Sequence, residues 1–383
     1  MLLFRIIILT LNLKSKNTLK NASLYHITGL NHRFIAPQSG LFADYISQYR
    51  DIISKARQQT HFYADTLSID RICPFEQGAG RQGILLLHGL METPFMMSDI
   101  AQYFSQRNYL TRALLLPGHG TVPGDLLNIK SRAWFDCYDY GIQSMTNNDA
   151  IDEFYIIGTS TGAILALLSV YKHMTISKLK GIILISPALR VQTYHGWYIN
   201  LSNCLKKFWP RAAWINRVTE NDFARYYSLP FNAAHQVYML TQLFKRQYAR
   251  QALSIPMFIA VSADDRVICP DTCLKFFEQQ KHPQSRMLIY GNPSSSSHDQ
   301  RVEIAPSGYP EQNILHFSHI SLQISPDNFH YGQFGNYEQK LRNDQKEKIY
   351  GEIKHPLKPS YRLSYNPDFY HFMDRLNTFI GGI

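Results

Sequence analysis

Ser160 stands in Gly158-Thr159-Ser160-Thr161-Gly162, where the apolar run Phe154-Tyr155-Ile156-Ile157 ends and the run Ala163-Ile164-Leu165-Ala166-Leu167-Leu168 begins. The first run has the character of a buried strand and the second opens a helix. A serine on the sharp turn between them takes a strained backbone conformation that exposes its hydroxyl at the sheet edge. The flanking glycines let neighbouring backbone approach where a Cβ would clash. Such a hydroxyl is a candidate nucleophile. Its chemistry would be covalent attack on a carbonyl, which needs a base for the proton and donors for the charge that develops on oxygen. A G-x-S-x-G pentapeptide alone is only a turn, so its surroundings decide.

Upstream, Gly83-Ile84-Leu85-Leu86-Leu87-His88-Gly89-Leu90 is another buried-strand run, and it ends in His-Gly-apolar. With these two segments the chain resembles the α/β-hydrolase superfamily, from about Gly83 to the C-terminus. The resemblance implies that the backbone N–H groups of Leu90 and Thr161 form the oxyanion hole, each worth about 3 to 4 kcal/mol of barrier height. It also implies a serine hydrolase with no metal or organic cofactor, closest to carboxylesterases, monoacylglycerol lipases and lysophospholipases. After the strand-like run 256–261 comes Ser262-Ala263-Asp264-Asp265-Arg266-Val267-Ile268-Cys269-Pro270. A carboxylate two residues before an apolar pair and then proline matches the family's triad acid. Asp265 fits that register, with Asp264 as its competitor.

The family's chain order, serine then acid then histidine, restricts the base to His282, His298, His316, His319, His330, His355 or His371. Spacing alone favours His298, which lies shortly after the strand-like Met287-Leu288-Ile289-Tyr290. Its polar loop, 293–300, offers no apolar neighbours to hold a ring still. His319 ends the run Ile314-Leu315-His316-Phe317-Ser318-His319-Ile320, a strand-end context like those of Ser160 and Asp265. The stretch 318–332 is similar to a subset of bacterial lysophospholipase-like α/β-hydrolases whose catalytic histidine occupies the position of His319, after an extra strand pair. His319 is therefore assigned as base, with His298 the alternative. Alternation along the run points His316 to the opposite face, into sheet packing. His88 is expected to brace the oxyanion turn, and His119, between two glycines, reads as a turn residue without a catalytic role.

These residues need a scaffold. Runs at 84–88, 111–116, 154–157, 181–186 and 256–261 read as strands, alternating with helices at about 93–105 and 133–144 and after Ser160. Strand–helix alternation implies a mostly parallel sheet with helices on both faces, an α/β-hydrolase fold with its catalytic loops at the strands' carboxyl ends. Apolar residues at helical spacing predict an amphipathic helix over 41–57, with Ser39 as its cap. The chain divides into an apolar leader and linker (1–37), an N-terminal helix and lead-in (38–82), a first core part (83–188), an insertion (189–253) and a second core part (254–383). The insertion is rich in Tyr, Trp, Phe and Arg and shows no clear strand. It reads as a helical cap over an apolar substrate site, or else as extra helices covering a sheet edge.

At 383 residues, 45% hydrophobic and 18% charged, the chain suits one large well-packed α/β domain with insertions. Its 39 basic and 29 acidic residues give +10, but the cations are dispersed without interleaved aromatics, which argues against nucleic-acid binding and leaves weak membrane-surface attraction open. Cys73, Cys137, Cys204, Cys269 and Cys273 show no C-x-x-C spacing and are expected to be free thiols. Met1 to Leu13 is apolar but shorter than the roughly 20 residues a spanning helix needs, and it lacks a cleavage site. An interfacial anchor, an uncleaved signal-like segment and a packed strand all fit it. Location is thus cytoplasmic or membrane-associated, and the oligomeric state is not readable. The expected substrate is a small-molecule ester or lipid. A thioesterase or acyltransferase would use the same residues, and a non-catalytic binding protein of this fold would lack one of the three.

Overall fold

The computed structural model describes residues 22–173, 175–192, 213–337, 349–351 and 360–382. Residues 1–13, Trp197, Trp209, Cys204 and His355 lie outside the described residues. The chain builds helices α1 (Phe42–Thr60) and α2 (Thr66–Ile72), then strand β1 (Phe75–Gln77) and strand β2 (Gln82–Leu87). There follow α3 (Ser98–Ser105), β3 (Tyr109–Leu114), α4 (Ser131–Thr146), β4 (Glu153–Thr159), α5 (Thr161–His173) and β5 (Leu179–Ile185). Strands β2 to β5 are buried almost end to end, as a sheet covered on both faces requires.

Beyond β5, strands β6 (Trp214–Asn216) and β7 (Leu229–Pro230) pair antiparallel and lead into α6 (Phe231–Leu243). The core resumes with β8 (Met257–Ser262), α7 (Pro270–Glu278), β9 (Arg286–Tyr290), β10 (Val302–Ala305) and the C-terminal helix α8 (Phe369–Gly381). The main sheet has eight strands in the order β1-β3-β2-β4-β5-β8-β9-β10. All its neighbouring strands are parallel except the β1–β3 pair. Because β2, β4 and β8 run in the same direction, the loops after them lie on one edge of the sheet.

Several expectations change in detail. Ser39 does not cap α1: the first cap position is Leu41, whose N–H the Ser39 hydroxyl accepts at 3.1 Å. The insertion contains two short strands, and Trp214 is spent in packing, with its ring 5.6 Å from Tyr25. Tyr25 belongs to the lead-in, which is tied to the core where Asn31 Nδ2 donates to His119 O at 2.7 Å and Thr28 Oγ1 to Asp125 Oδ2 at 2.7 Å. Helix α8 buries Phe369, Phe372, Met373, Leu376, Phe379 and Ile380 against the sheet, each side chain contributing roughly 1.5–3 kcal/mol of transfer free energy. Among the described residues Cys73, Cys137, Cys269 and Cys273 are free, and no helix is long and apolar enough to cross a membrane.

Candidate active site

Ser160 joins β4 to α5 with φ +49°, the left-handed region that costs a non-glycine residue on the order of 1 kcal/mol. Its surroundings fix it there. The Ser160 N–H donates to Ile185 O at 2.9 Å, and its carbonyl accepts from Ile164 and Ala188, both at 3.2 Å. Both motif glycines are demanded by contact: a Cβ on Gly158 would lie 2.7 Å from Ala163 N, and one on Gly162 would lie 2.6 Å from Leu87 O.

His319 comes to this serine from 159 positions along the chain. Its Nε2 lies 2.9 Å from Ser160 Oγ, and its Nδ1 lies 2.6 Å from Asp265 Oδ2. The carboxylate has no donor role, so Nδ1–H donates to it and Nε2 is left to accept the serine proton. Asp265, 1% exposed, is held in turn by the N–H groups of Val267 at 2.8 Å and Ile268 at 2.9 Å, which bind Oδ1. Asp264 faces elsewhere, its Oδ2 3.5 Å from the Ser307 hydroxyl.

The histidine candidates separate clearly. His298 is exposed on its loop. His319 does not end a strand: 318–320 is a turn, and only Ile314 of that run makes a β-bridge. The alternation argument for His316 therefore fails, and its ring lies against Gly351, where a Cβ would approach it to 2.4 Å. A turn can hold the imidazole still because its frame is bonded on both sides. Ser318 Oγ donates to Leu363 O at 2.6 Å, and Ser262 Oγ at the end of β8 donates to Phe317 O at 3.1 Å. Farther along, the Asp99 carboxylate on α3 accepts from Ser325 N–H at 2.7 Å and Asn328 Nδ2 at 2.9 Å. Before His319 the sheet gains a single extra parallel strand, β10, where a strand pair was expected.

His330 forms a second buried histidine–aspartate pair, Nε2 to Asp222 Oδ1 at 3.1 Å, with the Tyr331 hydroxyl on Oδ2 at 2.6 Å. Burial pushes the Asp222 carboxyl up, but these donors outweigh it and hold it below the usual carboxylate range. The pair links the insertion to the turn after His319. In the insertion, Thr93 Oγ1 donates to Ala224 O at 2.8 Å and the Tyr226 N–H to Met91 O at 2.8 Å, so 224–226 clasps the loop after β2.

That loop carries Leu90. It turns between Gly89 and Glu92 with Met91 at φ +65°. The Glu92 N–H returns to Gly89 O at 3.4 Å, and the Gly89 N–H donates to the buried Glu92 Oε2 at 2.8 Å. Among the described residues neither the Leu90 N–H nor the Thr161 N–H has a partner in the chain, so both donors are available beside Ser160. His88 braces the loop from below, with Nδ1 2.8 Å from Gly89 O and Nε2 accepting from the Leu116 N–H at 3.1 Å. Burial first, then neighbouring His119, pushes His88 well below the ordinary histidine range, so it stays neutral. His119 is buried in its turn, and burial lowers it to about 4. Sequence reading missed Glu92, whose only signal is an acidic residue three positions after Gly89 in an otherwise apolar loop.

The family model for serine aminopeptidase, S33, matches residues 78–293, more than half of the chain. The chain belongs to that family. It is an α/β-hydrolase-fold serine hydrolase, and the match includes Ser160 and Asp265 but ends before His319. Among solved structures, the chain is similar to a metagenome-derived lipolytic enzyme of the LipS and LipT study at 20% identity, over 57% of this chain and 87% of that one, TM-score 0.48. A monoacylglycerol lipase from Paleococcus ferrophilus is 16% identical over 57% and 87%, TM-score 0.45. A soluble variant of the Saccharomyces cerevisiae monoglyceride lipase is 14% identical over 58% and 82%, TM-score 0.46. For this α/β-hydrolase, groups of three or more His, Cys, Asp or Glu side chains able to hold a metal are absent among the described residues.

Proposed function

We propose that this α/β-hydrolase cleaves carboxylic esters of lipids, acyl-glycerols or lysophospholipids, through an acyl-enzyme on Ser160. The observation that carries the reading is the unbroken line of hydrogen bonds from Asp265 through His319 to Ser160, 2.6 and 2.9 Å long. Ser160 Oγ attacks the ester carbonyl as His319 Nε2 takes its proton, and Asp265 stabilises the resulting imidazolium. The tetrahedral oxygen takes its charge between the Leu90 and Thr161 amides. The imidazolium then protonates the departing alcohol, and water repeats the sequence to release the acid. Residues 189–253 serve as a cap, a role supported by the clasp of 224–226 on the Leu90 loop. The apolar surroundings support an acyl chain over a small polar acid: Leu90 and Met91 pack against the hydrophobic core, and the ring of Phe223 from the insertion lies 5.2 Å from that of Phe95, which follows the Leu90 turn.

The test combines wild type and Ser160→Ala, a fluorophosphonate probe, and a panel of p-nitrophenyl esters of graded acyl length, monoacylglycerol, lysophosphatidylcholine and aminoacyl p-nitroanilides. Labelling and ester hydrolysis that depend on Ser160, with preference for longer acyl chains, are the expected result. Turnover of the anilides without turnover of the esters would move the substrate to peptides. Undiminished hydrolysis by Ser160→Ala would remove the mechanism.

A further inference from the structure

The turn that presents Leu90 is held against its own preference. Met91, the third of its four residues, occupies φ +65°, a conformation that favours glycine. The main-chain bond closing the turn is long, 3.4 Å from Glu92 N to Gly89 O. A side chain supplies the stronger closure, since Glu92 Oε2 accepts the Gly89 N–H at 2.8 Å inside the protein. There is no slack around that bond: a Cβ at Gly89 would sit 2.9 Å from Glu92 Oε2 and 3.2 Å from Ser160 Cβ. We propose that Glu92 is a positioning residue of this hydrolase, its carboxylate holding the strained Gly89–Glu92 turn so that the Leu90 N–H points at the oxygen developing above Ser160.

This proposal rests on the esterase reading above and adds a residue to it. Burial pushes the Glu92 carboxyl up, while the Arg225 guanidinium, the Gly89 N–H and His319 pull it back. Arg225 comes from the clasping segment 224–226. The cap and the oxyanion turn therefore meet at Glu92, and it is the acceptor on Gly89, more than the charge, that sets the amide.

The experiment compares Glu92→Met, which keeps the volume without an acceptor, with Glu92→Gln, which keeps an acceptor without the charge. Both are measured on a p-nitrophenyl ester and for inhibition by an alkyl trifluoromethyl ketone, whose serine adduct places an anionic oxygen between the two amides. Losing an oxyanion donor outright costs about 100- to 1000-fold, so a misdirected one in Glu92→Met is expected to lower kcat about 10- to 100-fold, with KM within about threefold and ketone affinity falling in step with kcat. Glu92→Gln is expected to stay within about fivefold of wild type. Because glycine takes the left-handed conformation without strain, Met91→Gly combined with Glu92→Met should recover much of the lost kcat. If Glu92→Met does not fold, Glu92→Ala in the Met91→Gly background takes its place. A kcat within threefold of wild type in the acceptor-less variant, a loss confined to KM, unchanged ketone affinity, or equal damage from Gln and Met would each overturn the proposal. Its failure is separable from that of the esterase reading, which is tested by Ser160→Ala and by the substrate panel on wild type, with Glu92 unchanged in both.

Discussion

Ser160 bears the heaviest consequence at the scale of single residues, because its Oγ lies 2.9 Å from the His319 Nε2. Ser160→Ala is expected to lower kcat on the order of a millionfold, with KM near that of wild type, measured on a p-nitrophenyl ester. Asp265→Asn keeps the volume but favours the wrong imidazole tautomer, since the amide would donate toward Nδ1. A fall of about 10,000-fold in kcat is expected, and a fall below tenfold would show that the carboxylate does not set the ring. These residues were legible to different degrees. Ser160 announced itself because the strand run, the two glycines and the helix run that signal its turn lie within ten residues of it. Asp265 and His319 were reached through resemblance to a family, since nothing local separates a catalytic histidine from an exposed one such as His298. Glu92 escaped because its value is a contact with a backbone N–H three residues back, and a lone glutamate in a loop looks like any solvated charge.

Elements hold the residues by close packing at backbone distance. Helix α5 starts against the end of β2, where Gly162 leaves no room for a Cβ. Gly162→Ala would push a methyl into the carbonyls of Leu87 and His88, at 2.6 and 2.7 Å, and shift the serine and the Leu90 loop together. A stability loss of about 1–3 kcal/mol by urea denaturation is expected, accompanied by a fall in kcat. An active variant of wild-type stability would mean that this junction is looser than the distances require. Strands β2, β4, β5 and β8 were readable because burial on both faces makes them continuous apolar runs. Strands β1 and β10 were not, being short edge strands with exposed residues. Helix α8 carries its signal in Phe369, Phe372, Met373, Leu376 and Ile380, which recur at helical spacing on one buried face. The frame of His319 was misread as a strand because an apolar run can be spent in a turn when serine side chains, here Ser262 and Ser318, bond its backbone.

For the molecule as a whole, the buried imidazoles set a limit in acid. His119 stays neutral in the folded protein down to about 4, whereas its ordinary value is 6.5. Between those values the unfolded chain binds a proton that the folded one refuses, so the stabilisation is complete above 6.5 and is lost as the pH falls toward 4. This single group accounts for about 3 kcal/mol, and His88 acts in the same direction. Asp99 opposes them: burial raises its carboxyl to about 6 from 3.8, so the folded form gains relative stability as that group protonates. The carboxyls of Glu92, Asp125 and Glu220, also raised by burial, act with Asp99, so the contribution of His119 is read by difference: between pH 7 and pH 4.5 the urea midpoint of wild type is expected to drop further, or rise less, than that of His119→Asn. Equal pH dependence of the two midpoints would contradict a buried neutral ring at 119.

The two atoms that share the reactive proton are encoded 159 residues apart. The turn bearing the imidazole is fastened in its turn by the main chain at Leu363 and by Asn366, whose Nδ2 donates to Leu322 O at 3.1 Å. During synthesis on the ribosome, then, the serine leaves the exit tunnel long before anything exists to ionise it. A nascent or prematurely terminated chain lacking residues beyond about 360 would display an ordinary alcohol.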